Sequence, residues 1–212
     1  MHGKPELVRD SGESLAKRYD QAYFDKWYRH PQHRVKSPAE LARQVAFVLS
    51  TAEFVLGRPV RSVLDVGCGE GQWRAALRKH RPRMHYAGVD PSEYAVDRFG
   101  ARRNLQLGGI EALDSLSLRT EYDLVVCCGM LNYLTAAQLT NGLARVARKV
   151  GGVAYLELFT REDRFEGDTE WPTPRPAQWY REIMTSVGLT AIGMQCYVRT
   201  RDADVVSSLE RA

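Results

Sequence analysis

The chain has 212 residues, 44% of them hydrophobic, with a formal net charge of +4 and a pI near 8.9; this suits one sizeable core rather than two and leaves an anionic partner such as nucleic acid open without favouring it. The four cysteines, Cys68, Cys127, Cys128 and Cys196, have neither metal-ligand spacing nor the density of a secreted disulfide scaffold, so no metal is expected and the thiols read as buried groups in a reducing cell interior. The N-terminal "MHGKPELVRDSGE" lacks an apolar signal core and no apolar run nears membrane-spanning length, which makes a cytoplasmic protein with no membrane partner the expectation.

In chain order, Leu15, Tyr19, Tyr23 and Trp27 recur every fourth position until His30 and Pro31 break the pattern, which predicts one amphipathic helix. "SPAE" predicts the start of the next: Ser37 caps, Pro38 suits the first position and Glu40 closes a capping box. Leu41, Val45, Val48, Ala52 and Val55 carry its apolar face to Gly57, and residues 1–58 together read as an N-terminal helical cap. From 59 to 200 the hydrophobic period alternates between two and three and a half. Strand-like runs at 62–66, 85–89, 104–107, 122–128 and 153–159 are separated by helical stretches at 71–80, 92–99, 136–150 (after the capping box "TAAQ") and 177–187. Near-continuous apolar strands such as "YDLVVCC" predict a parallel sheet covered on both faces, hence an α/β doubly wound fold in one compact domain. A last run, 189–198, reads as one further strand with no clear seventh, and 201–212 as a polar tail. The stretch 160–176 is the one long irregular segment.

In an open parallel sheet ligands sit beyond the carboxyl ends of the strands, where the strand order reverses. The first strand-to-helix turn here is "VLDVGCGEGQW". Gly67, Gly69 and Gly71 remove side chains so that backbone can turn tightly and touch a ligand at a helix start. The spacing is G-x-G-x-G, and Gln72 breaks the dinucleotide pattern G-x-G-x-x-G. Asp65 at the strand end would repel a pyrophosphate but attract the ammonium and sulfonium of S-adenosylmethionine. Asp90, in "YAGVDPS" at the end of the second strand, is placed to accept both ribose hydroxyls of the adenosine.

The strings "VLDVGCGEG", "YAGVDPS", "GGIEAL" and "YDLVVCCGMLNYL" together resemble the class I S-adenosylmethionine-dependent methyltransferases over residues 61–158, a fold described as Rossmann-like. The resemblance implies that Asp65, Gly67 and Gly69 embrace the methionine portion and Asp90 the ribose, with Cys68 also among the cofactor-binding residues. Ile110 and Glu111 would border the adenine, and Cys127 to Met130 would line the floor beneath the methyl group, with strand alternation turning only one of Cys127 and Cys128, taken as Cys128, toward the ligand. Nothing matches the "NPPY"-like motif of base-amine methylation. Relatives close the site with an N-terminal segment carrying tyrosines, and "YDQAYFDKWYRHPQH" looks like such a cap: Tyr19, Tyr23, Trp27 and Tyr28 would wall the acceptor pocket, and Arg29 would pair with the cofactor carboxylate.

Methyl transfer needs alignment, exclusion of water and a deprotonated acceptor. His30, His33 and Tyr28 are the candidates for a base. After the fifth strand, Glu157, Glu162, Asp163, Glu166, Asp168 and Glu170 outnumber Arg161 and Arg164; they read as a solvated loop or as a surface for a cationic acceptor. Trp171 and Trp179 offer stacking surfaces. The expectation is methyl transfer to a small-molecule O or N acceptor, with S-adenosylhomocysteine as product. Methylation of RNA or protein, cofactor binding without catalysis, and a nicotinamide oxidoreductase are the alternatives, the last disfavoured by Gln72 and Asp65.

Overall fold

The computed structural model describes residues 19–164 and 175–205. Leu15, Glu166, Asp168, Glu170 and Trp171 therefore lie outside the described residues. Seven strands form one sheet: β1 (Ser62–Val66), β2 (His85–Asp90), β3 (Leu105–Leu107), β4 (Tyr122–Cys127), β5 (Val150–Leu156), β6 (Leu189–Gly193) and β7 (Cys196–Arg199), in the order β3-β2-β1-β4-β5-β7-β6. The first five are parallel, and β7 is inserted antiparallel between β5 and β6. The order reverses between β1 and β4, so a crevice opens beyond their carboxyl ends.

The continuous apolar character of the strands follows from burial on both faces. Leu64, Val66, Val125 and Cys127 point to one face, where they pack with Leu139, Leu143 and Val146 of α5 (Ala136–Lys149) and Ile183 and Met184 of α6 (Ala177–Ser186). Their chain neighbours Val63, Leu124 and Val126 point to the other, against Val45, Val48 and Leu49 of α2 (Pro38–Leu56), Trp73 and Leu77 of α3 (Gln72–His80) and Phe99 of α4 (Glu93–Arg103). The helix starts are local: Ser37 with Glu40 and Thr135 with Gln138 form reciprocal capping boxes. Thus α2, read from sequence as part of the cap, packs on the sheet, because its buried stripe is complementary to the β4 and β5 side chains. Among the described residues no helix is long and apolar enough to cross a membrane.

Three sequence expectations are corrected. The run 189–198 is a tight hairpin of two strands whose connecting residues, Met194 and Gln195, both have positive φ (49° and 62°), the backbone twist that a two-residue hairpin turn demands. Neither residue is a turn former, so the turn was silent in sequence. Gln195 is held from outside: its side chain accepts from Leu158 N at 3.0 Å and donates to Leu158 O at 3.2 Å. β5 begins at Val150, read from sequence as the last helical residue, and pairs there with Tyr122, ahead of Gly151 and Gly152. The supposed polar tail begins as a helical turn, Thr200–Val205, with Ala203 in the core.

Asp123, at the base of β4, ties the start of β1 at the end of the sheet opposite the crevice. It accepts both guanidinium branches of Arg58 (2.7 and 3.0 Å) and the backbone N–H groups of Arg61 (2.6 Å) and Ser62 (3.2 Å). Burial acts to raise its pKa, but the Arg58 hydrogen bonds and the backbone donors outweigh it and hold the carboxyl below its usual range. Asp123→Ala is expected to cost about 2–3 kcal/mol of stability at pH 7 by urea unfolding. Because the folded value is depressed, that contribution is present above the unfolded pKa and is lost as pH falls through the folded one. The gap between variant and wild type should therefore close in acid.

Candidate active site

The glycine loop is built by backbone bonds to β2. Gly67 N and Cys68 N both donate to Val89 O (2.8 and 3.1 Å), and Gly69 N donates to the Asp90 carboxylate at 2.6 Å. Gly67 and Gly69 have φ of 71° and 51°, left-handed values that favour glycine. A Cβ on Gly67 would lie 2.5 Å from Met130 Cγ, and one on Gly69 would strike the Tyr28 hydroxyl. The loop thus presents bare backbone at the mouth of the crevice.

Asp65 is 1% exposed and accepts one hydrogen bond, from Tyr86 Oη at 2.6 Å to Oδ2. Burial pushes its carboxyl up to about 7, against the pull of the Tyr86 bond and with help from the nearby Asp90 charge. Among the described residues no donor reaches Oδ1, which leaves that oxygen for a ligand. Asp90 differs: its oxygens take Gly69 N (2.6 Å) and Ser92 N (2.9 Å). Burial nonetheless outweighs these two bonds and raises its pKa. The carboxylate read from sequence as a ligand group also staples the loop to β2, and each oxygen keeps a lone pair for the cavity it lines.

Two cavities share the walls Tyr23, Tyr28, Gly67, Cys128, Gly129 and Tyr133. The first, of about 150 Å³, reaches Asp65, Cys68, Lys36 and Glu157. The second, of about 230 Å³, reaches Gly69, Asp90, Ile110 and Glu111. Cys128 lines both, whereas Cys127 is fully buried in the core. Ile110 turns its side chain against Gly142 of α5, so it contributes a packed wall rather than a flexible contact.

Among the described residues, the α-helix of the segment over the crevice spans only Gln21–Phe24. Asp20 caps α1 (Gln21–Phe24) through Tyr23 N at 3.0 Å, and a π-helical turn, Asp25–Arg29, follows. Such a turn closes every fifth residue instead of every fourth. Tyr28 thereby joins Tyr23 in lining both cavities, with Trp27 in the first. Burial pushes the Tyr28 hydroxyl up, and the charges of Asp90 and Asp65 add to it; a phenol so held is a poor base at neutral pH. The segment is fastened by Ser92 Oγ donating to Tyr19 O at 2.5 Å.

Arg29 does not reach either cavity. Its guanidinium bonds to Glu70 at 2.5 Å and Asp25 at 2.8 Å, so it latches the segment to the glycine loop. His30 and His33 line neither cavity: both are exposed, and they pair with each other at 4.7 Å between ring centroids. In the loop after β5, Glu162 accepts from Ala177 N and Asp163 from Thr160 N and Oγ1, so these acids hold the loop. Trp179 packs under Arg175, 4.7 Å from its guanidinium carbon.

Sequence reading missed a polar network at the first cavity. Lys36 Nζ donates to Glu157 Oε1 and to Gln44 Oε1 (2.9 Å), while Gln44 Nε2 donates to Glu157 Oε1 (3.0 Å) and Tyr155 Oη (2.7 Å). The only local signal was an acid just past the apolar end of β5.

Residues 64–153 match a family model described as a methyltransferase domain. No curated protein matches the chain. Among solved structures it is similar to a SAM-dependent methyltransferase from Archaeoglobus fulgidus (19% identity, TM-score 0.61, covering 80% of this chain and 73% of that one). It is also similar to a sugar N-methyltransferase from Streptoalloteichus sp ATCC 53650 (20% identity, TM-score 0.60, 94% and 99%). A third is the magnesium protoporphyrin IX methyltransferase from Synechocystis PCC 6803, solved with bound SAM (16% identity, TM-score 0.54, 81% and 83%). At these identities the likeness carries the fold.

Proposed function

We propose that this chain, which carries a methyltransferase domain on the class I methyltransferase fold, transfers a methyl group from S-adenosylmethionine to a small-molecule O or N acceptor. The observation that carries the reading is the placement of Asp65 and Asp90 at the ends of adjacent strands, flanking a bare glycine loop at the junction of two cavities. The residues fit the cofactor. In this reading the unpartnered Asp65 Oδ1 meets its ammonium, Gly67 and Gly69 allow its chain to pass over the loop, Asp90 meets the ribose hydroxyls, and Ile110 and Glu111 border the base. S-adenosylmethionine supplies a methyl group activated by a sulfonium. The protein supplies alignment and exclusion of water: Tyr23, Trp27 and Tyr28 cover the crevice, and Cys128 and Gly129 form its floor.

Small-molecule acceptors are supported by the ring-lined first cavity and by neighbours named for sugar and porphyrin methylation. The four free cysteines suit a cytoplasmic enzyme. Calorimetric titration with S-adenosylhomocysteine, methylthioadenosine and NADH tests the assignment. We expect micromolar binding of the first, weaker binding of the second, which lacks the amino-acid portion, and none of NADH. Equal affinity for the two thioethers would remove Asp65 from the ammonium, and failure of both to bind would end the methyltransferase reading.

A further inference from the structure

We infer, on the basis of the methyltransferase reading, that the acceptor is an uncharged aromatic hydroxyl and that Glu157 takes its proton during transfer. The rings of Trp27, Tyr28, Trp73 and Phe159 bound the first cavity, a lining suited to a flat apolar body. Its charged groups are Asp65, Glu157 and Lys36. Charge then discriminates between a hydroxyl and an amine. Asp65 is committed to the cofactor ammonium, and Glu157 is already neutralised by Lys36. An ammonium acceptor would find no uncompensated carboxylate and would face both Lys36 and the sulfonium. A neutral hydroxyl meets no such opposition.

Glu157 also has the valence the step requires. Its side chain is 10% exposed, and both of its side-chain donors, Lys36 Nζ and Gln44 Nε2, converge on Oε1. Among the described residues no donor reaches Oε2, so that oxygen keeps its lone pairs for a group that enters the cavity. The acceptor O–H donates to it. As the hydroxyl oxygen forms its bond to the methyl carbon, the carbon–sulfur bond breaks and its electron pair stays on sulfur, giving the thioether. The hydroxyl proton passes to Glu157 Oε2, leaving a methyl aryl ether and a carboxylic acid that later returns the proton to solvent. Lys36 and Gln44 are positioning residues that fix Oε1, and Tyr155 holds Gln44 in turn.

The test compares wild type with Glu157→Gln on a series of substituted phenols of graded acidity and on matched benzylamines, with calorimetric S-adenosylhomocysteine binding measured alongside. Phenols should be methylated and benzylamines not. Glu157→Gln should bind S-adenosylhomocysteine as wild type does, while the affinity of that complex for a phenol falls about ten-fold with the loss of a charge-assisted hydrogen bond. Its kcat on weakly acidic phenols should fall roughly 1000-fold. The deficit should shrink at least ten-fold for nitrophenols, which ionise unaided, and should also shrink as pH rises. The double variant Lys36→Met with Glu157→Gln removes the pair as a unit and should show the same dependence if the single variant folds poorly. A loss of equal size on every phenol, preferential methylation of amines, or no phenol turned over by a protein that binds S-adenosylhomocysteine would each overturn this inference alone. A wild-type protein that binds no S-adenosylhomocysteine overturns the underlying reading with it.

Discussion

Asp65→Asn is expected to raise the melting temperature of the unliganded protein while weakening S-adenosylhomocysteine binding about 100-fold. The two effects share one cause. Asp65 is 1% exposed and Tyr86 Oη is its one hydrogen-bond donor among the described residues, so the ionised form lies in a site with little to solvate it. Burial first, and then the Asp90 charge, lift its pKa from 3.8 to about 7 despite the Tyr86 bond. A folded value above the unfolded one means that the stability tied to the bound proton is fully present below pH 3.8 and is lost as pH rises through about 7. Above that range, keeping Asp65 ionised costs the empty protein on the order of 4 kcal/mol.

Asparagine keeps an oxygen for Tyr86 and carries no charge. The melting-temperature gain should therefore grow from pH 4 to 7 and amount to several degrees at pH 8 by scanning calorimetry. The same charge is what an ammonium would meet, and its loss is a charge-assisted hydrogen bond forgone in a buried site. Wild-type affinity should accordingly strengthen as pH rises through about 7, and methylthioadenosine should bind Asp65→Asn and wild type alike. A variant that is less stable at pH 8, or that binds S-adenosylhomocysteine normally, contradicts this account of Asp65.

Asp90→Ala should act in the opposite direction on stability and without discrimination on ligands. Both oxygens of Asp90 are occupied, by Gly69 N at 2.6 Å and Ser92 N at 2.9 Å. Removing them strands two backbone donors and releases the glycine loop from β2, at a cost of about 2 kcal/mol in urea unfolding. Because the ribose is common to both thioethers, affinity for S-adenosylhomocysteine and methylthioadenosine should fall together, by roughly 30-fold or more. If only S-adenosylhomocysteine binding suffered, Asp90 would belong to the amino-acid end. Unchanged stability would show that the loop holds its shape through the Val89 carbonyl alone, which takes Gly67 N and Cys68 N.

Different physical sources explain which features could be read from the chain. Helix starts depend on contacts three residues apart, so the Ser37–Glu40 and Thr135–Gln138 boxes were legible and form as written. Strand identity depends on local runs of apolar residues, and β1 spans the residues its pattern marked. The acids and glycines around the first turn were legible for the same reason: their positions follow from being at the end of a strand. The hairpin at Met194 and Gln195 was not, because its positive φ values are sustained by Gln195 bonding to Leu158, 37 positions away in the chain.

The sequence by itself determined the α/β alternation, the glycine loop and the two acids at adjacent strand ends. These are properties of neighbouring residues, written in spacing and residue type. Tertiary structure alone decided that Arg29 serves as a latch to Glu70, that β7 enters the sheet between β5 and β6, and that Lys36 meets Glu157 across 121 positions of chain. Such pairings depend on which strand lies beside which and how far a helix start overhangs the sheet. No local pattern specifies them, because the energy that selects them is gained only when the whole sheet has closed around its core.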